Sequence, residues 1–105
     1  MSVSDVNPTR PLFDWYIKNY HRSNTQATAE QAHKAKRVYN QYLNENQLEV
    51  ESVNEEDAIN FINTVVDQYS PSYQQKVVGE IKRFYSYCLE KGVSGFDGNP
   101  FESVL

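Results

Sequence analysis

Few side chains in this sequence could do chemistry by themselves: one cysteine, Cys88, two histidines, His21 and His33, and the acidic run Glu55, Glu56 and Asp57. Catalysis needs a nucleophile, an acid or base, or a metal, held in a pocket by the fold. Cys88 falls at core spacing between Phe84, Tyr85 and Leu89, which reads as a buried, inert thiol. The two histidines lie on different segments with no cysteine or carboxylate at a zinc-ligand spacing, so solvated or phosphate-facing imidazoles are expected. Three consecutive acids at a helix start point in different directions, and helix capping accounts for them better than a metal does. Gly95 and Gly98 follow no strand, so a phosphate-cradling loop lacks its context and a linker turn is expected. No catalytic residue, cofactor or metal ligand is assigned.

The basic residues offer more. The 10 lysines and arginines are outnumbered by 14 acids, and a net charge of -4 argues by itself against a polyanionic partner. Their distribution argues the other way. Between Arg10 and Asn40, the bases Arg10, Lys18, Arg22, Lys34, Lys36 and Arg37 face only Asp14 and Glu30. From Asn44 to Tyr69 there are seven acids and no base. From Ser70 to Lys91 the balance is positive again, with Lys76, Lys82, Arg83 and Lys91 against Glu80 and Glu90. Lys34, Arg37 and Gln41 are spaced to share one helix face. Lys76, Lys82 and Arg83 surround Gly79, which costs about 1 kcal/mol relative to alanine inside a helix. Close approach by another helix or by a ligand backbone would compensate.

Four helices must position these residues. The first is expected from Pro11 to His21, with Leu12, Trp15, Tyr16 and Tyr20 at helical spacing. The second is expected from Ala29 to Glu45, with Thr28 and Gln31 at capping-box spacing and Ala32, Ala35, Val38, Tyr39, Tyr42 and Leu43 facing inward. The third opens on Asn54 as cap, with Ala58, Ile59, Ile62, Val65, Val66 and Tyr69 as its apolar stripe. The fourth runs from Ser70 and Pro71 to Lys91, closed by Gly92, and buries Val77, Val78, Ile81, Phe84, Tyr85, Cys88 and Leu89. No alternating strand pattern, repeat or low-complexity tract appears. The expected fold class is all-α, a compact four-helix bundle. Residues 1–10 are expected to be a flexible start, 11–92 the domain, and 93–105 the beginning of a linker. No signal peptide and no run approaching the roughly 20 apolar residues of a membrane span is present, and the lone cysteine fits a reducing, cytoplasmic setting with no membrane partner.

The fourth helix carries a recognisable pattern: Ser70-Pro71-Ser72-Tyr73, then Lys76, Val78, Ile81, Lys82, Phe84-Tyr85 and Tyr87, then Gly92 and Asn99-Pro100-Phe101. It resembles the N-terminal core-binding, SAM-like domain of tyrosine recombinases, the phage-integrase type. Thr28, Tyr39, Tyr42 and Leu43 agree with the family's second helix, and Val53-Asn54 before Asp57, Ile59 and Phe61-Ile62 are similar to its short connecting helix. Ala32 and Tyr73 depart from it, standing where an aromatic and a threonine are usual.

The resemblance spans Leu12 to Leu105 and implies a SAM-like orthogonal bundle that packs on one side of double-stranded DNA while a separate catalytic domain grips the other. It implies that the second and fourth helices lie against the duplex and the acidic third faces away. DNA contacts are then expected from Lys34, Arg37, Lys76, Lys82 and Arg83, with Thr28, Gln41 and Gly79 secondary. The family's Arg, Lys, His-x-x-Arg and Tyr machinery belongs to the other domain, and His33 is followed here by Lys36 instead of arginine. Other protomers in a synaptic complex, a monomeric isolated domain and a prokaryotic nucleoid setting are further implications. Two alternatives stand beside this reading. One is a helical protein-interaction module docking a partner through Trp15 and Tyr16. The other, an enzyme, lacks a convergent set of polar groups.

Overall fold

Cap chemistry sets the helix boundaries most sharply in the second half of the chain. The computed structural model describes residues 11–20 and 26–103. Its four α-helices are α1 (Leu12–Tyr20), α2 (Gln26–Glu45), α3 (Glu55–Thr64) and α4 (Pro71–Glu90). Short 3-10 turns at Val50–Ser52 and Val66–Gln68 precede and follow α3, and no strand occurs among the described residues. At α4 the Ser70 hydroxyl accepts from the Tyr73 amide and Pro71 fills the first-turn position. At its other end Gly92 takes φ +71, while Gly92 N donates to Leu89 O and Val93 N to Cys88 O. That pairing is the left-handed cap that satisfies the last carbonyls of a helix. At α3, Asn54 accepts from Asp57 N at 2.8 Å and Asp57 accepts from Asn54 N at 3.2 Å, a reciprocal box.

The start of α2 differs from the sequence expectation. The helix is already running at Gln26, so Thr28 lies two residues inside it and is not its cap. Gln26, Ala27 and Ala29 are good helix formers, and nothing in that run breaks the helix before Thr28. The side chain of Thr28 lies outside the described residues, as do His21, Arg22 and Arg10.

The core is aromatic. Phe13 of α1 stacks on Phe84 of α4 at 4.6 Å, and Tyr39 of α2 meets Phe61 of α3 at 5.1 Å. Each such pair adds about 0.5 to 1.5 kcal/mol beyond its buried area. Tyr85 donates its single hydroxyl proton to the Val50 carbonyl, so the 2.6 Å bond between the two tyrosines must be donated by Tyr39. The stripe expected on α3 holds at Ala58, Ile62, Val65 and Val66 and fails at Ile59, which is 44% exposed, while Phe61, not expected there, is fully buried. Phe61 takes the inward place because Tyr39, Tyr42 and Phe101 surround it with rings. The helix also ends at Thr64, and Val66 reaches the core from the following 3-10 turn.

The packed body does not stop at Gly92. Val93 and Phe101 are buried, and Phe101 lies against Tyr39, Phe61 and Tyr85. Asn99 ties this segment to α4, and the Ser103 hydroxyl donates to Glu55 at 2.6 Å. The result is an all-α bundle of four helices with its C-terminal segment folded back over α3 and α4.

Candidate nucleic-acid interface

On α4, four residues fall in one stripe at the i, i+3, i+4 and i+7 positions: Gly79, Lys82, Arg83 and Ser86. They line an open surface groove whose opposite wall is Asn99 and Glu102 from the folded-back segment. Gln75 and Val78 continue the groove past Gly79. Lys76, exposed, stands one turn ahead of Gly79 on the same helix.

Gly79 explains least about itself from inside the molecule. A Cβ built there would find nothing closer than Arg83 Nη1 at 3.8 Å, which is ordinary contact. No neighbouring helix of the described residues comes close enough to require glycine. The expected compensation by internal close packing is therefore absent, and the position opens onto the groove.

Arg83 is fixed from below. Glu80, only 3% exposed, accepts from Arg83 Nη2 at 2.9 Å and from the Tyr16 hydroxyl at 2.6 Å. Burial would lower the Arg83 pKa, but the hydrogen bond and negative charge of Glu80 outweigh it, and the net direction is upward. Burial, and then Glu80, push the Tyr16 hydroxyl far above the usual tyrosine range. The Arg83 side chain remains half exposed while one edge of its guanidinium is held by Glu80, which restricts its orientation. Sequence reasoning counted Glu80 only in the charge balance of the fourth helix. The missed signal was its place one turn before Phe84, on the side of α4 that receives Tyr16 of α1.

On α2, Lys34, Arg37 and Gln41 are exposed and share one stripe, with Gln41 donating to Glu45 at 3.1 Å. Lys36 is not part of it: it turns toward α1 and pairs with Asp14 at 2.5 Å. The α2 and α4 stripes are not brought together. At about 100° per residue, Lys34, Arg37 and Gln41 lie roughly 140° to 160° around α2 from Tyr39. Lys76, Gly79 and Arg83 lie roughly 140° to 160° around α4 from the buried Ile81. Tyr39 meets Tyr85 where the two helices pack, so the two basic sets look outward in different directions.

Other candidates resolve simply. Cys88 is fully buried between the core rings. Trp15 and Tyr16, the docking residues of the protein-interaction alternative, are 9% and 0% exposed and offer no surface to a partner helix. They turn inward because Phe84 and Tyr87 of α4 pack against them. No cluster of three or more potential metal ligands and no helix long and apolar enough to cross a membrane occurs among the described residues. Comparison with known protein families, with curated proteins and with solved structures finds no match.

Proposed function

We propose that this domain binds duplex DNA as the core-binding part of a tyrosine-type site-specific recombinase, with α4 as its principal surface. The observation that carries the reading is Gly79. It is a helix-interior glycine at an open groove, flanked by Lys76, Lys82 and Arg83, with no packing reason among the described residues. A phosphate backbone needs both of these things, cations to neutralise it and room for its approach. Lys82 and Arg83 supply charge at the groove itself, facing Glu102 of the folded-back segment, and Lys76 adds charge at the entrance. Lys34 and Arg37, which look in another direction, act as secondary, longer-range contacts. The Ser-Pro start of α4 and the Asn99-Pro100-Phe101 ending are the residues on which the family resemblance rests.

The reading requires binding that depends steeply on salt and weakly on sequence, because lysines and arginines here act mostly through charge. Replacing Lys76 and Lys82 together by glutamate is expected to abolish binding to a labelled duplex, measured by fluorescence anisotropy at low salt with helicity checked by circular dichroism. Undiminished binding by a folded Lys76→Glu/Lys82→Glu protein would rule this surface out.

A further inference from the structure

We infer that the Ser86 hydroxyl is a neutral hydrogen-bond donor to the phosphate bound in the α4 groove, and that Asn99 holds it in the donating orientation. The inference rests on the reading of α4 as a phosphate-binding surface and adds to it a residue that carries no charge. Ser86 is exposed, three residues after Arg83 and four after Lys82, so it adjoins both cations on the helix surface.

A serine in a helix ordinarily turns its hydroxyl back onto the carbonyl four residues earlier. For Ser86 that carbonyl is Lys82 O. One of its lone pairs accepts the helical amide of Ser86, and the other accepts Asn99 Nδ2 at 3.1 Å. The second hydrogen of the same Asn99 amide goes to Ser86 Oγ, also at 3.1 Å. Asn99 thus occupies the usual acceptor of the serine and donates to the serine oxygen itself. The hydroxyl hydrogen is left without that acceptor, on a side chain that lines the groove together with Lys82, Arg83 and Glu102.

Asn99 is itself locked. Its Oδ1 accepts from Phe101 N at 3.0 Å, and Phe101 is anchored in the core against Tyr39, Phe61 and Tyr85. The side chain therefore does not need to be ordered when ligand arrives, and the donor is presented in advance. Hydroxyl donors of this kind are common partners of backbone phosphates and carry no sequence information, in keeping with a positioning contact.

The test uses the whole 105-residue chain and a labelled duplex of mixed sequence, with affinity measured across a salt series. Ser86→Ala is expected to weaken binding about tenfold, the scale of one hydrogen bond to a charged group. Its salt slope should equal that of the native protein, since no cation is lost. Ser86→Thr, which keeps the hydroxyl, should restore native affinity. Lys82→Ala, measured alongside, should weaken binding and also flatten the slope. If Lys82→Ala behaves so while Ser86→Ala binds as tightly as the native chain, the DNA reading stands and the role of Ser86 is overturned. If the native chain does not bind the duplex at low salt, both fall together. Alanine at exposed Ser86 removes one tie of Asn99 but leaves its bonds to Lys82 O and Phe101 N, so the fold is expected to hold, and circular dichroism verifies it.

Discussion

Gly79→Ala separates stability from binding, because helix propensity and the proposed DNA contact give the two quantities opposite signs. The new Cβ meets nothing nearer than 3.8 Å, so no strain offsets the gain in helix propensity. That gain is about 1 kcal/mol at a helix-interior site. For a domain of this size it corresponds to a rise in melting temperature of roughly 4 to 6 °C. On the proposed reading, the new methyl group would stand in the path of a phosphate backbone approaching Lys82 and Arg83, and affinity for duplex DNA should fall several-fold. Thermal unfolding followed by circular dichroism reads the first quantity, and anisotropy at fixed salt reads the second. A lower melting temperature would show that Gly79 is needed for packing. A higher one with unchanged affinity would place the glycine outside the contact and remove the observation on which the DNA reading stands.

Two further outcomes test the fold. Phe101→Ala deletes a fully buried ring from the segment that follows Gly92 and should cost about 3 to 5 kcal/mol, a large part of the roughly 5 to 15 kcal/mol a domain possesses. A loss below about 1 kcal/mol in urea unfolding would show that the segment is not part of the core. Alkaline pH should unfold the domain cooperatively, because burial lifts the hydroxyls of Tyr16, Tyr39 and Tyr85 well above their ordinary value. Their folded pKa is raised, so the stability they contribute is full below the unfolded tyrosine pKa of about 10 and is lost as pH climbs toward the folded values. Three protons released on unfolding give a slope of about 4 kcal/mol per pH unit in that window. Ionisation of all 8 tyrosines without loss of helicity would contradict the burial of these three rings.

The parts of the fold that were legible in the sequence are those set by local chemistry. Asn54, Ser70, Pro71 and Gly92 each do at a helix end what their side chains or backbone favour, and α3 and α4 begin and α4 ends accordingly. Where two local signals fit equally well, tertiary packing decided. Ile59 and Phe61 are both compatible with a helical stripe, and the ring cluster of Tyr39, Tyr42 and Phe101 selects Phe61. Thr28 has the composition of a cap, but the chain before it is equally content as helix.

The docking of Phe101 and Asn99 leaves no periodic trace, since a segment of turns has no face to repeat. Glu80 was hidden for a different reason: a lone carboxylate is tolerated in the core only with partners, and these come from Tyr16, distant in sequence, and from Arg83. Of the candidate surface, the α4 cations and Gly79 could be read from spacing. The separation of the α2 stripe from them required knowing that Tyr39 and Tyr85 meet.

The central claim is most directly tested by backbone amide shift mapping of the full chain titrated with duplex DNA at low salt. Binding through α4 predicts progressive shifts from Lys76 to Ser86 and at Asn99, which reverse when salt is added. Absence of any shift, or shifts confined to the acidic face of α3, would contradict it.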